Sequence, residues 1–145
     1  MAELFSTRWL IVLGIVTWLP FAYVLALMLA GDDTAASLEM VATYGSALLV
    51  FLAGVRFGAA LMSGANIPVS IRLTPLLTLV GFAALFSPTQ VALALLVAGF
   101  GGQGAVDVWA GFSGRLPQSY VTARTVMTWM CTLTVLAIVV LNGFV

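Results

Sequence analysis

Residues 73–106 read LTPLLTLVGFAALFSPTQVALALLVAGFGGQGAV, an uncharged stretch of 34 residues between Arg72 and Asp107. As a single α-helix this stretch would be about 50 Å long. The hydrocarbon core of a bilayer is only about 30 Å thick, so one crossing needs about 20 residues. The stretch must therefore contain two helices with a bend between them.

The bend is predicted at residues 87–90. Pro88 fits the first turn of a helix, where its missing N–H costs nothing, and Ser87 can cap the free amides of that helix. The spacing therefore predicts membrane spans over about 68–86 and 89–107.

The rest of the chain divides in the same way. Of its 145 residues, 63% are apolar and 7% are charged, whereas soluble proteins carry about 25% charged residues. Further spans are predicted over about 9–30, 38–62 and 121–143. We therefore expect an all-α integral membrane bundle of five transmembrane helices, with residues 1–145 forming a single domain.

The arginines indicate an orientation. With five crossings, successive connections alternate between the two sides, and every arginine falls on the side of the amino terminus. The positive-inside rule assigns that side to the cytoplasm and the carboxyl terminus to the outside. We expect a multi-pass protein of the bacterial inner membrane, oriented by Arg8, Arg56, Arg72, Arg115 and Arg124.

Missing residue types exclude several functions. The chain has no His, no Lys and one cysteine, Cys131, which removes the usual ligands of haem and catalytic zinc, Schiff-base lysines and dithiol redox pairs. A net charge of zero from ten charged groups offers no basic patch for nucleic acid. We expect no enzyme activity, no catalytic residue, no cofactor and no metal site.

The second span carries a cation at membrane depth. Residues 44–58 read YGSALLVFLAGVRFG, which places Arg56 roughly 9 Å from the inner end of its helix. Such a charge costs up to about 2.5–3.5 kcal/mol on insertion scales unless it is paired. Asp107 is the acid placed to meet it at similar depth, which predicts a structural ion pair, joined by Arg124. The alternatives are an anion site built from Arg56, Arg124 and Tyr120, or an arginine that reaches lipid phosphate.

Gly54 and Gly58 form a GxxxG pattern on either side of Arg56. Small residues at this spacing let membrane helices approach closely. We interpret the pair as an internal helix-packing site, with a dimer face as the alternative.

Residues 99–104 read GFGGQG and match the dinucleotide-binding pattern GxGxxG. That pattern needs a βαβ unit and an acidic residue about 20 positions further on, and neither follows here. These glycines instead predict tight packing or local unwinding at the inner end of the fourth span.

A glycine-rich loop is predicted over residues 111–118, inside a stretch that mixes aromatic residues with charges. Aromatic side chains anchor at the headgroup level and arginines reach phosphates, so this stretch is typical of a membrane surface. It is also the predicted docking loop for a larger partner, through Trp109, Phe112, Arg115 and Leu116.

Residues spread over nearly the whole chain carry a resemblance to a known family: Leu19, Pro20 and Phe21, residues 44–58, Pro75, Asp107, residues 117–120, and Arg124, Thr125 and Thr128. Together they resemble the family catalogued as domain of unknown function 3429, which includes transmembrane protein 69-like small polytopic membrane proteins. Ala53 and Phe57 depart from its pattern, where Gly and Trp are expected. The resemblance implies a small multi-pass protein of energy-converting membranes and no known reaction.

Taken together, the sequence predicts an accessory, stabilising or assembly subunit of a larger membrane complex, acting through helix and lipid contacts. Its expected partners are the lipid bilayer and other membrane subunits, or further copies of itself. The alternative is a small transporter or channel with an inward-facing site for an anion or a lipid headgroup around Arg56 and Arg124.

Overall fold

The computed structural model describes residues 7–31, 34–62, 72–112 and 118–143 of the chain. All regular structure in these ranges is α-helical. Four of the helices contain stretches long and apolar enough to cross a membrane, so the chain is an all-α, multi-pass membrane protein by helix length and composition. The five helices are α1 (Thr7–Ala30), α2 (Thr34–Met62), α3 (Thr74–Leu85), α4 (Thr89–Phe112) and α5 (Gln118–Gly143).

The third helix is much shorter than the others. α3 has 12 residues, hence a length of about 18 Å, which is less than the hydrocarbon thickness. The predicted start of this span, at residue 68, lies outside the described residues. A fifth crossing therefore stays a prediction.

The bend before α4 lies at the predicted position. α3 ends at Leu85 and α4 begins at Thr89. The Ser87 hydroxyl was expected to cap the free amides of α4. It donates instead to the Ala83 carbonyl at 2.7 Å, near the end of α3. At the other turn, Gly31 adopts φ 82°, a left-handed conformation that ends α1 at little cost only for glycine.

Helix α4 extends further than predicted. It continues past residue 107 to Phe112, and residues 99–104 are helical throughout. The expected local unwinding is therefore wrong, and the connection predicted from residue 111 begins later. Close packing explains at least one of these glycines, because a Cβ at Gly99 would overlap the Leu49 side chain.

The helices form a ring in chain order, α1 to α5, with α5 back against α1 and a further contact between α2 and α4 across the bundle. α1 and α5 run parallel, since Gly14 lies beside Met127 and the Trp18 indole N–H donates to the Thr134 hydroxyl at 2.9 Å. The start of α1 and the end of α5 are thus at opposite ends of the bundle. At one end of the bundle α1 and α5 begin and α2 and α4 end. We call it the arginine end.

The core lies in the middle of the bundle. Phe21 is fully buried and packs edge-on against Tyr44 and Phe100, with ring centroids 5.3 and 6.0 Å away. The Tyr44 hydroxyl donates to the Thr17 carbonyl at 2.8 Å, which ties α2 to the middle of α1. Large apolar side chains cover the outside of the helices, as expected where the solvent is lipid; on α1 they include Trp9, Ile11, Leu13, Val16 and Leu19.

Glycines allow close helix contacts, but not at the predicted pair. No atom outside the local helix lies within 4 Å of a Cβ built at Gly54 or Gly58, and Gly54 is exposed. Among the described residues, therefore, this pair does not pack against another helix of the chain. The tight contact between α2 and α3 is at Gly81, where a Cβ would lie 2.8 Å from Val50 Cγ2 and 3.1 Å from the Ser46 carbonyl oxygen.

We expect Gly81→Ala to lower the free energy of unfolding by about 1–3 kcal/mol, because the added methyl group overpacks a rigid contact. The matched control is Gly54→Ala, which adds the same methyl group in open space and should cause no loss. Both values can be measured by unfolding in detergent micelles. Equal stability of the two variants would contradict the close approach at Gly81.

Candidate functional site: a buried arginine and aspartate cluster

Asp107 of α4 lies between two arginines. Its Oδ1 accepts a hydrogen bond from Arg56 Nη2 of α2, and its Oδ2 accepts one from Arg124 Nε of α5 at 2.9 Å. The three residues are buried, with exposed fractions of 6% for Arg56, 4% for Asp107 and 6% for Arg124. One carboxylate therefore joins three helices at the arginine end of the bundle.

Each of the three nitrogens of the Arg124 guanidinium group donates a hydrogen bond. Besides Asp107, its Nη2 donates to the Leu52 carbonyl of α2 at 2.7 Å, and its Nη1 donates to the Tyr120 hydroxyl at 3.3 Å. Tyr120 and Arg124 are four residues apart on α5, a spacing that brings helical side chains together. The structure thus brings together Arg56, Asp107, Arg124 and Tyr120, the four residues singled out in the sequence.

Gln103 belongs to the same cluster and was missed in the sequence. Its backbone carbonyl accepts from Arg56 Nη2 at 3.1 Å, and its side chain is fully buried. With the amide oriented to satisfy its neighbours, the side-chain oxygen accepts from the Ala53 N–H and from Arg124 Nη2, each at 3.1 Å. The available signal was its position one helical turn before Asp107 in an otherwise apolar helix.

The cluster carries an excess of positive charge. Two guanidinium groups face one carboxylate, and Arg56 Nε and Nη1 have no hydrogen-bond partner among the described residues. Buried donors without partners are costly in a medium of low dielectric constant. Chemically, the cluster can therefore fix the helices against one another and can also attract an anion.

A cleft opens beside the cluster at the arginine end. It has a volume of about 230 Å³ and lies between the first half of α1, the second half of α2 and the first half of α5. Its walls are apolar apart from a few polar groups, which include Arg124 and Tyr120. The remaining lining residues are Leu10, Leu13, Gly14, Thr17, Phe51, Leu52, Val55, Ala123 and Met127.

The predicted docking loop is only partly visible. Trp109 lies near the end of α4 and is half-exposed. Phe112 is the last residue of that helix. Arg115 and Leu116 lie outside the described residues, as does the side chain of Phe112. The loop stays a prediction.

Within the described residues, no three His, Cys, Asp or Glu side chains lie close enough to hold a metal ion. Cys131 is fully buried in the core, where it packs as a small apolar side chain.

Comparison with known proteins gives a family. The family described as protein of unknown function (DUF3429) matches residues 6–141. The chain belongs to this family. No curated protein and no solved structure matches the sequence. Because the family's description names no activity, any function must be argued from the helices, the charge cluster and the cleft.

We expect Asp107→Asn to lower the free energy of unfolding by about 3–5 kcal/mol, because it leaves two buried cations without a counter-charge. Arg56→Leu should cost clearly less, since it leaves Asp107 and Arg124 as a neutral pair. Unfolding in detergent micelles measures both.

The matched controls lie on the surface. Glu39 and Arg72 are exposed, so Glu39→Gln and Arg72→Leu should change the stability by less than about 0.5 kcal/mol. If Arg56→Leu cost as much as Asp107→Asn, the two-to-one charge balance of the cluster would be wrong.

Proposed function

We propose that the chain is a non-enzymatic accessory or assembly subunit of a larger membrane complex, which it joins by lateral helix packing. The described charges that lie at membrane depth bond to one another inside the bundle. The outer surface of the helices is mainly apolar. Such a surface suits contact with lipid and with other membrane helices.

The observation that carries this proposal is the outward position of the GxxxG pair on α2. Among the described residues, nothing lies within 4 Å of a Cβ built at Gly54 or Gly58; Gly54 is exposed and Gly58 is partly exposed. The neighbouring side chains of Phe51 and Phe57 are exposed by 64% and 45%. Two glycines flanked by large apolar side chains form a shallow groove into which a second helix can pack closely. The occupant we propose is a transmembrane helix of another subunit.

For the orientation, we propose five crossings, with the arginine end in the cytoplasm of a bacterium and the protein in its inner membrane. The parallel course of α1 and α5 supports an odd number of crossings. The position of Arg56, Arg72 and Arg124 at one end supports the sidedness, because positive residues are retained inside.

The accessory role predicts that the protein migrates with a larger assembly in native electrophoresis after mild detergent extraction. Gly54→Leu should shift it to the mass of the chain alone, because the new side chain fills the groove. The fold should survive, since the added atoms project into open space.

The control for this experiment is Ala94→Leu, which enlarges a small exposed residue on α4 instead of α2. It should leave the assembly intact. Migration of the wild-type protein as a single chain would contradict the accessory role, and so would an assembly that tolerates Gly54→Leu.

A second candidate is an anion transporter, favoured by the excess positive charge and by the two unpartnered nitrogens of Arg56. It predicts that vesicles containing the protein take up inorganic phosphate, and that Arg56→Gln abolishes uptake while Arg72→Gln does not. Absence of uptake by the wild-type protein, or uptake unchanged in Arg56→Gln, would reject this candidate for phosphate.

A further inference from the structure

We infer that the cleft between α1, α2 and α5 is a binding site for an anionic phospholipid. One acyl chain lies along the apolar wall, and the phosphate group lies at Arg124 and Tyr120. The site would stabilise the chain whether or not it joins a larger assembly.

The shape of the cleft fits a hydrocarbon chain. Its volume of about 230 Å³ is below the range of about 300–1,000 Å³ that is typical of sites for drug-sized ligands and cofactors. The lining comes from three helices and is mostly apolar, with Phe51 as its aromatic member besides Tyr120, and with Thr17 and Arg124 as its other polar residues. A flexible chain that enters from the bilayer can fill such a space.

The cleft separates α1 from α2 towards the arginine end. The hydrogen bond from Tyr44 to the Thr17 carbonyl joins the two helices at mid-height. Below that point Gly14 lines the cleft without a side chain, and a Cβ built on it would lie 3.7 Å from Met127 of α5. The opening is therefore part of how the three helices pack.

The polar end of the cleft is built for an anion. Arg124 is 94% buried and belongs to a cluster with two cations and one anion. Its Nη1 reaches the Tyr120 hydroxyl at 3.3 Å, the longest of its hydrogen bonds. A phosphate at this place can accept from both groups and neutralise the excess charge, which is expensive in hydrocarbon. A zwitterionic headgroup brings its own cation and leaves that charge uncompensated.

The test uses the isolated chain in detergent micelles, so it does not depend on any partner. Native mass spectrometry would compare binding of dioleoyl phosphatidylglycerol, which is anionic, with that of dioleoyl phosphatidylcholine, which is zwitterionic. We expect about fivefold stronger binding of phosphatidylglycerol, the effect of about one excess positive charge.

Two valine variants test the cleft. Val55→Trp places a large side chain in the cleft wall and should reduce binding of phosphatidylglycerol to the level of phosphatidylcholine. Val126→Trp is the matched control, because Val126 is exposed by 53% on α5 and does not line the cleft. It should bind as the wild-type protein does.

The excess charge is tested without changing the shape. Gln103→Glu is isosteric, lies outside the cleft lining and adds one negative charge beside Arg124. It should abolish the preference for phosphatidylglycerol while leaving the acyl-chain site open. If this variant does not fold, Tyr120→Phe provides the second test: loss of the hydroxyl should weaken the preference, whereas Tyr23→Phe, at an exposed position on α1, should not.

Three lipid-binding results would overturn the inference. They are equal binding of both lipids by the wild-type protein, an unchanged preference in Val55→Trp, and full competition by inorganic phosphate, which would indicate a site for the free anion. A second copy of the chain that excludes lipid from the cleft would overturn it as well.

Discussion

The arrangement of this bundle depends on one carboxylate shared by two guanidinium groups. Asp107 bonds to Arg56 and Arg124, and the backbone carbonyls of Leu52 and Gln103 accept further hydrogen bonds from the same arginines. If one of these helices shifted along its axis, a charge would be left unpaired in hydrocarbon, which is too costly. The cluster therefore sets how α2, α4 and α5 align along the membrane normal, a specification that apolar contacts among similar helices supply poorly.

The glycines divide into two groups with different physical roles. Those at Gly45, Gly81 and Gly99 lie where a Cβ would meet a neighbouring helix, so they let the helices of the bundle approach each other. Gly54 and Gly58 lie two residues before and after Arg56, on the face of α2 opposite that buried side chain, and they leave this face shallow. Glycine thus serves two purposes. At inward positions it lets the helices of the chain pack closely, and at the outward positions on α2 it would let a helix of another subunit do the same.

The polar chemistry, the glycine pair of α2 and the cleft all occur at the arginine end. This end combines a buried positive charge with the cleft between α1, α2 and α5, whereas Phe21, Tyr44 and Phe100 pack together in the middle of the bundle. Membership of the DUF3429 family adds no reaction to this description. The partner helix and the anionic lipid that we propose would both bind at this end.

The sequence by itself determined that the chain lies in a membrane, that it is all-α, and that it bends near Pro88. Hydropathy and helix-breaking residues decide these features locally. It also indicated that Arg56, Asp107 and Arg124 form a cluster, because a charge at membrane depth needs a partner of opposite sign and the chain has few charged residues. Only the tertiary structure decided that Gln103 completes the cluster, that Gly81 and not Gly54 packs inside, and that α1 leaves a cleft. Helices that are apolar all round carry little information about which face turns inward, so these features arise only when the helices are packed together.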